Sequence, residues 1–154
     1  MTKLLYEFAD RIRMRGRTRR MTAEHALGRQ AEDLAHRYLQ RAGIVIVARN
    51  YRSSGGTAEI DLVGWDKNTL VFVEVKSRQN EDHGAPDRAV GSEKWVHIVR
   101  AARDYARHAS TPWQSVRFDI VNVVFTTPPT VTHLRDALPR TLAGRLFGSS
   151  LQAL

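Results

Sequence analysis

The chain has 154 residues, 42% of them hydrophobic, which suits one compact domain with its own core and excludes a disordered chain. It has no cysteine, so a disulfide framework, a thiolate zinc site and a cysteine nucleophile are excluded. The net charge is +8, but residues 1–20 hold seven basic and two acidic side chains, so most of the excess belongs to one end and the rest is close to balanced.

Residues 1–21 read as a basic arm, with a short apolar patch (Leu4, Leu5, Tyr6, Phe8) ahead of an arginine-rich run. Blocks of like charge stay extended and often contact anionic partners. A solvated tail, or a translation start at Met14 or Met21, accounts for the same residues. Neither a signal peptide nor a bilayer-crossing run is visible; the longest apolar run, Ile44–Ala48, is far too short. The expectation is a cytoplasmic protein with no membrane partner.

The body, residues 22–137, opens with a helical pattern from Thr22 to Ala42. Leu27, Ala31, Leu34, Ala35, Tyr38 and Leu39 recur at threes and fours, with Thr22 as a candidate N-cap and Gly43 as a C′ residue. Glu32 lies beside the apolar stripe, and its plainest reading is an exposed helix carboxylate. Ile44–Ala48 is apolar throughout and predicts a central strand buried on both faces. Arg49-Asn50-Tyr51-Arg52 then turns outward, and the flexible run 53–57 leads into the next element.

Residues 58–76 (AEIDLVGWDKNTLVFVEVK) predict two strands joined by a polar turn over Asp66–Thr69. Three charges interrupt them: Asp61, Glu74 and Lys76. Glu74 and Lys76, two apart, share a face, and a loop of two or four residues puts Asp61 opposite Glu74. A three-residue loop would break that pairing unless a bulge restored it. Two carboxylates so placed repel one another, and a divalent cation between them relieves the repulsion. The plainer alternative is a solvated strand face with Asp61 as a chance neighbour. Glu59 shares the face of Asp61.

Ser77–Gly91 reads as a long polar loop, and Ser92 as the cap of a second helix running to about Ala109. Its apolar face is Trp95, Ile98, Val99, Ala102, Tyr105 and Ala106. Val116–Phe125 predicts a long strand: Phe118, Ile120, Asn122 and Val124 take one face, and Arg117, Asp119, Val121, Val123 and Phe125 the other. Residues 131–134 suggest a short edge strand, and 138–154 a weakly ordered tail with enough Ala and Leu for a short helix. No histidine pair has zinc-site spacing. Phosphate-loop, dinucleotide and serine-hydrolase motifs are missing too, so no nucleotide cofactor is expected.

The order helix, strand, two-stranded hairpin, helix, strand, with Asp61, Glu74 and Lys76 on the hairpin and Glu32 on the first helix, resembles the core of the PD-(D/E)XK nuclease superfamily. More closely, it resembles the YraN family of bacterial proteins, predicted endonucleases similar to archaeal Holliday junction resolvases. The similarity runs from Gly28 to about Ala137. It is carried by Gly28, Glu32, Tyr38-Leu39, Arg49-Asn50-Tyr51-Arg52, Glu59-Ile60-Asp61-Leu62, Leu70 through Lys76, Arg78, Lys94 and Arg117-Phe118-Asp119. The chain departs from the family pattern at Ala31 and Ala58, where glycine is usual.

The resemblance implies an α/β fold, a restriction-endonuclease-like αβββαβ core with a mixed central sheet flanked by helices. It implies that Asp61, Glu74 and the carbonyl of Val75 hold Mg²⁺ or Mn²⁺, with Glu32 completing the acidic cluster directly or through water. Lys76 would position the attacking water, and Glu59 would support Asp61. Arg49, Arg52, Arg78 and Lys94 are the residues expected on nucleic acid. The implied activity is metal-dependent hydrolysis of DNA phosphodiester bonds, with branched or structured DNA as a substrate class and a homodimer as the working form. The alternative is a non-catalytic nucleic-acid-binding or scaffolding domain that retains the fold.

Overall fold

The computed structural model describes residues 23–55, 59–79 and 90–147. The expected basic arm, Thr22, Ala58 and most of the loop before the second helix lie outside the described residues.

Helix α1 (Ala23–Arg41) ends on a left-handed Gly43 at φ 87°. There Gly43 N–H donates to the Gln40 carbonyl and Ile44 N–H to the Leu39 carbonyl, each at 3.0 Å. This paired closure satisfies carbonyls that the helix leaves open and brings Ile44 back onto Leu39, both fully buried. The glycine read from the sequence as a terminator is therefore also what aims the chain into the sheet.

Among the described residues five strands follow in spatial order: β1 (Val45–Arg52), β2 (Glu59–Asp66), β3 (Thr69–Arg78), β4 (Val116–Val124) and β5 (Thr130–Leu134). Among the described residues only the β3–β4 pair is parallel, and helix α2 (Ser92–His108) makes the crossover that such a pair needs. The sheet is thus mixed, as expected for an α/β chain. The β2–β3 turn is Lys67-Asn68, with Asp66 paired to Thr69 and Lys67 left-handed at φ 56°.

Each face of the sheet buries its own core. On one side α2 lays Trp95, Ile98, Val99, Ala102, Tyr105 and Ala106 over Leu70, Phe72, Phe118 and Ile120. On the other, α1 lays Ala31, Ala35 and Leu39 over Leu62, Val71, Val73, Val121 and Val123. The methyl group of Ala31 fits wholly inside this second core.

Three expectations need correction. Strand β1 is an edge strand rather than a central one, and Val45 is 54% exposed. Its apolar run arises because a bulge between Ile46 and Ala48 shifts which side chains face each core. Arg49–Arg52 does not turn outward but continues β1, pairing with β2 as far as Arg52 opposite Glu59. Helix α2 starts after Gly91 with no side-chain cap, so Ser92 is its first residue rather than its cap. Within 138–154, helix α3 (Arg140–Phe147) forms, and Leu138, Leu142 and Leu146 pack against the α2-side core.

Candidate functional site

The ladder between β2 and β3 runs from Asp66–Thr69 to Leu62–Val73, where it stops, while β1 and β2 stay paired down to Glu59. Beyond Leu62 the two central strands part. Asp61 stands at that point, and its Oδ2 accepts the Val75 N–H at 2.7 Å. A side-chain carboxylate thereby takes a backbone donor of β3 beyond the last ladder pair. Ile60 packs in the α2-side core and Leu62 in the α1-side core, so strict alternation is interrupted at Asp61.

Glu74 is one residue past the last ladder pair on β3, so the two-residue turn does bring it level with Asp61, across a parting rather than in a ladder pair. It is 5% exposed and ion-paired to Lys94 of α2. Burial lifts the Asp61 carboxyl to about 7, and the Glu74 charge adds to the rise; the Val75 N–H opposes both, and Glu32 and Lys94 contribute smaller effects of opposite sign. Carboxylates from α1, β2 and β3 therefore feel one another at the place where the sheet opens.

Glu32 is fixed from β1. Asn50 Nδ2 donates to its Oε2 at 3.0 Å, and Arg49 lies 3.5 Å away while pairing with Asp33 at 2.7 Å. Asn50 reaches across from a left-handed backbone at φ 49°, a conformation that asparagine tolerates better than most residues. Arg52 donates through Nε to Glu59 at 2.9 Å, so Glu59 is engaged by an edge-strand arginine. Lys76 is half-buried on β3, two residues past Glu74, and Arg78 ends the strand, its carbonyl accepting the Phe125 N–H at 2.8 Å.

The structure thus brings Glu32, Asp61 and Glu74 into electrostatic contact, with Lys76 next along β3. Of the arginines and lysine expected on nucleic acid, Arg49, Arg52 and Lys94 are engaged with acids of the site or its border. The sequence reading missed two features: Asn50 as a holder of Glu32, and Lys94 as the counter-ion of Glu74. The first had a signal in the Arg-Asn-Tyr-Arg run. The second depends on how α2 packs and had none.

Among the described residues no three His, Cys, Asp or Glu side chains are close enough to hold a metal ion between them. The donor chemistry nevertheless suits a hard divalent cation. Two carboxylates converge at a strand parting, and one of them is held high by burial and by its neighbour's charge. That is the electrostatic conflict a cation resolves, and Lys94 resolves half of it from the Glu74 side.

A second polar cluster lies on the α1 face of the sheet, toward the β5 edge. Asp119, fully buried, accepts from Arg117 Nε and Nη2 at 2.9 Å, from His133 Nε2 at 2.8 Å and from the Asp136 N–H at 3.0 Å. Arg117 also donates to Asp66 at 2.9 Å. Burial alone would raise the Asp119 carboxyl, but the His133 and Arg117 hydrogen bonds and the Asp136 N–H hold it below the usual carboxylate range. The cluster joins the hairpin turn, β4 and the edge strand β5.

Residues 31–123 match the model of the uncharacterised protein family UPF0102. A UPF0102 protein of Solibacter usitatus is 51% identical over 137 residues, which cover 89% of this chain and 99% of that protein. One from Rhodococcus opacus is 43% identical over 114 residues, 73% of this chain and 95% of its own length. One from Methylibium petroleiphilum is 47% identical over 109 residues, 67% of this chain and 88% of its own length. With more than half its length matched by the family model and relatives of this identity, the chain belongs to the UPF0102 family, the family that the hairpin and helix motifs resemble under the name YraN.

Proposed function

We propose that this protein is a Mg²⁺- or Mn²⁺-dependent endonuclease that hydrolyses DNA phosphodiester bonds, acting on branched or otherwise structured DNA as a homodimer. The observation that carries the reading is the parting of β2 and β3, which presents Asp61 and Glu74 to one another with Glu32 alongside. A PD-(D/E)XK core needs these residues in these elements, and the mixed sheet with a parallel β3–β4 pair is consistent with it.

Asp61 and Glu74 would hold the cation, with the Val75 carbonyl as a further donor and Glu32 in contact directly or through water. A bound Mg²⁺ supplies charge stabilisation at the phosphate and a more acidic water. Lys76 orients that water and meets the negative charge that grows on the phosphate. Lys94 is paired with Glu74, and a cation on that carboxylate would release its ammonium for a phosphate oxygen.

One observation favours a second reading. The Lys94–Glu74 pair already neutralises one of the two central carboxylates, as in a non-catalytic nucleic-acid-binding domain that has kept the fold. Calorimetric titration with Mn²⁺ separates the two. The nuclease reading expects binding by the parent that is lost in Asp61→Asn and Glu74→Gln. Absence of binding by the parent favours the binding domain.

A further inference from the structure

Among the described residues, four buried side-chain nitrogen and oxygen atoms lack a hydrogen-bond partner, and two of them are the Nδ2 and Oδ1 of Asn122. Asn122 is 4% exposed. It continues the row of Phe118 and Ile120 on the α2 side of β4, as Glu74 and Lys76 continue the row of Leu70 and Phe72 on β3. The parallel register aligns Ile120 with Glu74 and Asn122 with Lys76. The row turns polar at Glu74 on β3, beside the parting of β2 and β3, and one step further along, at Asn122, on β4. The flank of Asn122 toward β5 is Thr132.

An amide buried with both polar atoms unpaired destabilises the fold, because the hydrogen bonds it gave up to water are not replaced. A leucine of similar volume would remove that cost, so the asparagine is explained by a partner that reaches it in solution. The residue in register with Asn122 on the same face of the neighbouring strand is Lys76, one strand away at a spacing of about 4.8 Å. We propose that Asn122 is a positioning residue: its Oδ1 accepts a proton of the Lys76 ammonium and aims that group at the scissile phosphate. This rests on the reading of Lys76 as the group that meets the phosphate.

Amine acylation of the full chain, followed residue by residue by mass spectrometry, tests the pairing without needing any activity. Lys67, at the far turn of the hairpin, is the internal reference. In Asn122→Leu the rate at Lys76 relative to Lys67 rises about tenfold, because a charge-assisted hydrogen bond no longer holds the amine, and the denaturation midpoint rises with it. In Asn122→Asp the acceptor is kept, and the Lys76 rate stays at or below that of the parent. Where the parent cleaves DNA, Asn122→Leu lowers kcat more than it raises KM, and Asn122→Asp restores part of the loss.

A Lys76 rate that stays at the parent value in Asn122→Leu overturns the proposal, as does a loss of stability in that variant, which is what a purely structural amide would give. If Asn122→Leu does not fold, the Asp variant decides: a Lys76 rate above that of the parent overturns it. Failure of the nuclease reading shows separately, as absence of cleavage by the parent.

Discussion

Asp61 accepts the Val75 N–H at 2.7 Å at the point where β2 leaves β3, so one carboxylate both completes the β3 backbone and faces Glu74. The two roles separate by mutation. Asn at position 61 keeps a carbonyl oxygen for the Val75 N–H, so Asp61→Asn is expected to change stability by less than about 1 kcal/mol. Alanine leaves that donor without its acceptor, and Asp61→Ala is expected to cost about 1–3 kcal/mol more than the Asn variant. Urea denaturation of the two variants checks this; equal stabilities would mean that the hydrogen bond contributes nothing.

Lys94 competes with any cation for Glu74. Replacing it by methionine keeps most of the apolar stem and removes the charge. Lys94→Met is expected to raise Mn²⁺ affinity about tenfold through the lost repulsion, measured by calorimetry. Unchanged affinity would place the metal away from Glu74.

Gly64 is where the β1 bulge approaches β2. A Cβ there would lie 2.9 Å from Ile44 Cγ2 and 3.0 Å from both Ile46 Cδ1 and the Val45 carbonyl oxygen. The carbonyl belongs to the backbone and cannot move aside cheaply. Gly64→Ala is expected to cost about 1–3 kcal/mol of stability, read as a lower urea midpoint with an unchanged m-value.

Asp119 sets a pH dependence. Its carboxyl is held below the usual carboxylate range by the His133 and Arg117 hydrogen bonds and the Asp136 N–H, so the folded state favours the ionised form. The stability this contributes is present above the unfolded value and is lost as pH falls through the lower, folded value. Asp119→Asn removes one of the two carboxylates that hold Arg117, leaving Asp66, and is expected to cost about 1–3 kcal/mol at neutral pH. The gap between parent and variant narrows in acid, as the parent carboxyl takes up a proton. Thermal unfolding from pH 7 down to pH 3 measures it; a constant gap would contradict the assignment.

Much of this architecture was legible in the sequence because it depends on neighbours close in the chain. The Gly43 terminator, the two-residue option for the hairpin turn, the apolar face of α2 and the opposed faces of β4 follow from periodicity and turn chemistry. What was not legible depends on packing between distant segments. Ile44–Ala48 reads as a central strand by composition, and only the bulge explains how an edge strand carries so many apolar residues. Asn50 holds Glu32 from a left-handed backbone, and the Arg-Asn-Tyr-Arg run marks the residue without showing which helix carboxylate it reaches. Lys94 sits off the apolar face of its helix, which by itself suggests solvent; the packing of α2 over the sheet turns it toward Glu74. Asn122 stood in plain view on the core face of β4, and its register with Lys76 became visible only with the parallel pairing.

The central claim is that the parting of β2 and β3 houses a phosphodiesterase centre. Incubation of labelled duplex, single-stranded, flap and four-way-junction DNA with the protein and Mg²⁺ or Mn²⁺, beside Asp61→Asn and Glu74→Gln, tests it most directly. The expected result is metal-dependent cutting by the parent, strongest on one of the branched substrates and reduced about a hundredfold or more in either variant. Cutting that persists in both variants, or no cutting of any substrate by the folded parent, would contradict it.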